Sequence, residues 1–68
     1  MTNVELLDKK IKENGLRTSY IVEKLGISRA GWYRKRKGLS PLNAEQIQIL
    51  CNILHITSLR EKEDIFFS

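Results

Sequence analysis

Residues 18–37 read TSYIVEKLGISRAGWYRKRK. Ile21, Val22 and Leu25 form a short apolar stripe at helical spacing, and Gly26 ends it. Ser28 is a good N-cap for a second helix, which runs to Lys37 and stops at Gly38. Only Leu25-Gly26-Ile27-Ser28 separates the two segments, too little chain for a wide loop. An abrupt turn there needs a residue that accepts positive φ, and Gly26 supplies it. Ile27 can tuck between the helices and fix their angle. The stretch therefore predicts two short helices joined by a tight turn, a helix-turn-helix.

The same signals recur outward from it. Thr2 and Glu5 fit a capping box, Val4, Leu7 and Ile11 share one helical face, and Asn14-Gly15 closes that helix. Thr18, or Arg17 before it, starts the second helix, with Thr18 able to cap. After the Leu39-Ser40-Pro41 loop, Asn43 and Gln46 form a second capping box. Ile47, Leu50, Cys51 and Leu54 then lie on one face, and Ile49, Ile53 and Ile56 on another, so this helix should be buried on two sides. Thr57 or Ser58 starts a fifth, shorter helix through Glu61, Lys62 and Glu63. No segment alternates as a strand does, and no repeat recurs at solenoid periods. The expectation is an all-α, compact five-helix fold, a single domain over residues 1–68.

Composition narrows the function classes. With 68 residues there is no room for a second domain or a large catalytic cleft. Apolar residues at 41% and charged residues at 29% give a globular balance, not a disordered one. Cys51 is the one cysteine, so no internal disulfide forms. The opening MTNVELLDKK lacks a signal-peptide layout, and no apolar run exceeds three residues. A cytoplasmic location and no membrane contact are expected. Charge is uneven: residues 1–37 carry ten Lys/Arg against four Asp/Glu, residues 38–68 two against four. Between Ile27 and Ala44 lie five cations (Arg29, Arg34, Lys35, Arg36 and Lys37) and no anion. One surface should attract a polyanion. The bland counterpart is a solvated cationic face.

Gly15-Leu16, the run Glu23-Lys24-Leu25-Gly26-Ile27-Ser28-Arg29, then Tyr33-Arg34-Lys35 and Gly38 resemble the Cro/phage-repressor (XRE-type) helix-turn-helix domains. The resemblance covers about residues 4–56, and the ending Asp64-Ile65-Phe66-Phe67 is similar to short phage-associated members. It implies a lambda-repressor-like five-helix fold and sequence-specific binding of double-stranded operator DNA. It also implies a transcription regulator, a Cro-like phage or prophage repressor acting by operator occupancy, usually as a homodimer. Three features depart from the family pattern. Thr18 stands where Gln is common, Gly31 where Ser or Thr is common, and Lys35 with Arg36 where one apolar residue usually packs inward.

Anchoring Trp32 inward turns residues 29, 30, 33, 34 and 37 toward the DNA groove or its walls. Arg34 is the first choice for base readout, because a guanidinium pairs bidentately with the guanine edge. Arg29 reads a base or binds a phosphate. Ala30 suits a thymine methyl, and Tyr33 suits sugar, phosphate or methyl, with simple packing as its alternative. Arg17, Thr18, Ser28, Lys37 and Ser40 would hold the sugar–phosphate backbone.

Other chemistry lacks its parts. Cys51 and His55 stand four apart on one predicted helix, but two ligands do not make a metal site. A single His supports no Ser-His-Asp set, and no phosphate-cradling glycine loop occurs, so neither an enzyme nor a cofactor or small-molecule substrate is expected. The apolar ending Ile65, Phe66 and Phe67 has two readings. It is a dimerisation end, spanning about 57–68 and extended by Ile49 and Ile53, or Leu59 and Phe66 fold back onto the first helix and close the core. A function of another class follows from the first: a protein-interaction module, antirepressor-like or antitoxin-like, working through that end.

Overall fold

The computed structural model describes residues 1–68 as five helices without a strand: α1 (Val4–Asn14), α2 (Thr18–Leu25), α3 (Arg29–Arg36), α4 (Ala44–Ile53) and α5 (Leu59–Phe66). The all-α, five-helix expectation holds. No helix is long and apolar enough to cross a membrane.

The caps explain where the helices begin. Ser28 Oγ accepts from the Gly31 amide at 3.0 Å, and Ser58 Oγ accepts from the Glu61 amide. Asn43 and Gln46 form the expected reciprocal box. Two starts differ from the sequence reading. Asn3, not Thr2, caps α1, with its Oδ1 accepting from the Leu6 amide at 3.1 Å; Asn is at least as good a cap as Thr and stands one residue nearer the helix. Thr18 is the first helical residue of α2, while Arg17 is its N-cap and makes no side-chain cap bond.

One device ends four helices. Gly15, Gly26 and Gly38 have φ of 64°, 67° and 77°, and His55 has φ of 57°. In each case the following amide reaches back five residues: Leu16 to Ile11, Ile27 to Val22, Leu39 to Arg34 and Ile56 to Cys51. This is the Schellman arrangement, which satisfies the orphan carbonyls of a last turn. His55 therefore lies beyond α4, in a turn, and its side chain is exposed. It does not share a helix face with Cys51, as the i, i+4 spacing suggested.

The core takes Leu7 from α1, Ile21 and Leu25 from α2, Trp32 from α3, and Ile47, Leu50 and Cys51 from α4. Leu54 and Ile56 follow α4, and Ile65 and Phe66 come from α5. Helix α2 packs on α3 and α4, and α5 packs on α1. Two polar links hold the last pair: the Asn3 amide donates to the Ile65 carbonyl at 2.6 Å, and Lys10 Nζ pairs with Glu61 Oε2 at 2.9 Å. That partner holds the Lys10 ammonium above its usual pKa, its bond with Glu61 being the main cause.

The ending of the chain is thus a core element. Helix α5 runs through Ile65 and Phe66, which are only 2% and 3% exposed. They are not available as dimer contacts, contrary to that reading of the sequence. Burying each is worth about 1.5–3 kcal/mol, a large share of the stability of a domain this small. Leu59, paired with Phe66 in the other reading, instead stays exposed. Ile49 and Ile53 are half-buried against the core, and Phe67 alone of the five residues faces solvent.

Phe66→Ala should cost about 3–5 kcal/mol and Phe67→Ala no more than about 0.5, measured by urea unfolding. A small loss at Phe66 would contradict its place in the core. His55→Gly should stabilise the domain by about 1 kcal/mol, because glycine carries no Cβ penalty at positive φ. Its readout is the urea midpoint at unchanged slope.

Candidate nucleic-acid interface

Helix α3 carries one large apolar side chain inward. Trp32 is 1% exposed. At about 100° per residue, Ala30, Arg34 and Lys37 lie roughly opposite it, and Tyr33 flanks them. All four are exposed, as is Arg29 in the first turn. Lys35 and Arg36 fall nearer the Trp32 side and are half-buried. Burial of one indole thus sorts the residues of α3 into an outward crest and an inward flank.

The inward cations are engaged by the fold. Arg36 Nε donates to Asp8 Oδ1 on α1 at 2.7 Å. Lys35 Nζ donates to the Pro41 carbonyl at 2.7 Å, bracing the loop after α3. The sequence marked both as displacing an apolar residue, and the structure shows the compensation. Their aliphatic stems lie along the flank while their charged heads find an acceptor on α1 and in the loop.

The outward cations behave differently. Arg17, Arg29 and Arg34 make no ion pair or side-chain hydrogen bond within the chain, and Lys37 Nζ stands 5.8 Å from the centroid of the Tyr33 ring, one turn back. A parallel pair, Lys24 over Tyr20 at 5.5 Å, lies on α2. Sequence reading gave Tyr20 and Lys24 no role, although their i, i+4 spacing was visible.

The remaining candidates lie at helix ends and in a loop. Ser28 caps α3, so its oxygen is occupied by the Gly31 amide, but its hydroxyl proton is free to donate. Thr18, half-buried, opens α2 next to the uncapped Arg17. Both starts present backbone amides and the positive end of a helix dipole, which suit a phosphate oxygen. Ser40 is half-buried in the loop between α3 and α4. It borders a groove of about 330 Å³ that Met1, Leu39 and Phe67 also line.

A metal or a nucleophile finds little here. No three of His, Cys, Asp and Glu come together. Cys51 is buried, and burial pushes its thiol up, away from the reactive thiolate. The surface that α3 offers is a set of unpaired cations, one exposed aromatic and one methyl on a narrow crest. Such a crest can contact phosphates and the edges of bases. No family model, no curated protein and no solved structure matches the chain.

Proposed function

We propose that this protein is a sequence-specific, double-stranded DNA-binding transcription regulator of the Cro-like, XRE-type helix-turn-helix kind. It works in the cytoplasm by occupying an operator. The observation that carries this reading is the division of charge on α3. Arg34 and Lys37 stand exposed and free of ion pairs on the crest opposite Trp32, and Arg29 is exposed and unpaired in the first turn, while the other two cations are held by the fold. Arg34 is assigned to a guanine edge, Arg29 to a base or phosphate, Ala30 to a thymine methyl, and Tyr33 to sugar or methyl. Arg17, Thr18, Ser28, Lys37 and Ser40 are assigned to the backbone.

Operator occupancy by two copies completes the reading, with a palindromic site mirroring the two-fold axis. With Ile65 and Phe66 inside the core, Leu59 and Phe67 are the exposed apolar residues left at that end for such a contact. The protein-partner alternative loses the same two residues from its working surface.

Selection of bound duplexes from a random DNA library near physiological salt should return a palindromic motif. On that motif, Arg34→Ala and Arg29→Ala should each weaken binding by about 1–3 kcal/mol. Lys37→Ala should weaken all sequences alike and make the salt dependence shallower by about 0.9 in slope. Recovery of no motif, with binding that vanishes as salt rises, would leave only nonspecific attraction and refute the regulator reading.

A further inference from the structure

Arg36 sits in the last turn of α3, between Lys35 and Lys37, yet it faces α1. Its Nε meets Asp8 Oδ1 at 2.7 Å, and both side chains keep about a third of their surface in solvent, at 33% and 27%. Asp8 is the only carboxylate that pairs with any of the five cations from Arg29 to Lys37. The pair is therefore neither a deeply buried structural bridge nor a freely solvated one. A surface pair of this kind adds little to stability. What it changes is the number of cations that α3 can offer to a polyanion. Each phosphate neutralised adds affinity for every DNA sequence alike, and the many nonspecific sites of a genome compete through that term.

Building on the DNA-binding reading, we propose that Asp8 is a positioning residue that withholds Arg36 from DNA phosphates. Nonspecific affinity and its salt dependence are then set by Arg29, Arg34 and Lys37 on α3, and Arg36 contributes nothing to them. Lys35 is held only by the neutral Pro41 carbonyl, which a phosphate can outcompete, so it can join those three on DNA. Asp8 is different, because its full charge offsets that of the guanidinium wherever the pair stands.

The test is a salt titration of binding to a short scrambled-sequence duplex, read by fluorescence anisotropy, with circular dichroism confirming each variant folded. Arg36→Met should leave the slope of log K against log salt unchanged. Asp8→Ala should steepen it by about 0.9, one added phosphate, and tighten binding most at low salt. Asp8→Glu should keep the wild-type slope. The double variant Asp8→Ala/Arg36→Met should return to the wild-type slope, since no cation remains to be released. A slope that flattens by about 0.9 in Arg36→Met would show Arg36 already on a phosphate and overturn the proposal. So would an Asp8→Ala effect that persists in the Arg36→Met background, which would mark Asp8 as bulk charge. Failure of the wild type to bind any duplex would instead remove the DNA-binding reading itself.

Discussion

The inward burial of Trp32 is the constraint on which the exposed face of α3 depends. Helix α3 has eight residues, and Trp32 is its one large apolar side chain in the core. A buried tryptophan removes about 150–250 Å² from water, worth about 4–6 kcal/mol at the usual area coefficient. The indole Nε1–H finds no acceptor within the chain, a cost of about 1–3 kcal/mol. The apolar gain is the larger, so the ring stays in. With only one anchor, the rotation of α3 would be loosely set. The clasps from Arg36 to Asp8 and from Lys35 to Pro41 lie on either side of Trp32 around the helix and remove that freedom. These contacts orient α3 and, as exposed polar pairs, add little to its stability.

Helix ends were legible in the sequence to the extent that glycine marked them. Gly15-Leu16, Gly26-Ile27 and Gly38-Leu39 each pair a left-handed residue with an apolar one, which is the chemistry of a Schellman ending. The fourth ending, His55-Ile56, uses the same backbone without glycine. Propensity alone lets the helix continue through His55, which places Cys51 and His55 four apart on one helix. The tertiary reason for the stop is visible in Asn14, whose Nδ2 donates to the Leu54 carbonyl at 3.2 Å and to the Lys10 carbonyl at 2.9 Å. A residue forty positions away completes the end of α4, and no local pattern carries that information.

The site was legible in part for the same reason. Trp32 as anchor followed from residue type, and the exposure of Ala30, Tyr33, Arg34 and Lys37 followed from the period of the helix, while Arg29, about 60° from Trp32, is exposed at the first position of α3. Asp8 as the partner of Arg36 did not, since the two are 28 residues apart and only the packed fold brings them together. The chain ending was ambiguous for a different reason. An apolar run can close a core or meet a partner, and periodicity cannot tell these apart. The backbone bond from Asn3 to Ile65 decided it by returning α5 to the start of α1.

Gly31 breaks a local rule in the first turn of α3. A glycine inside a helix costs about 0.5–1 kcal/mol against alanine, and α3 is short enough to feel it. A Cβ at Gly31 would stand 3.2 Å from Ser28 Oγ, tighter than ordinary contact, while that oxygen accepts the Gly31 amide. That contact asks Ser28 Oγ to give by a few tenths of an ångström, and Ser58 caps α5 in the same way over Glu61, which carries a Cβ. The cap therefore does not require glycine at this position. The Ser28 cap fixes where α3 begins, and Trp32 fixes which way it faces. Together they set the position of Arg29 and Arg34, and any contact those residues make depends on that placement more than on the net stability of the helix.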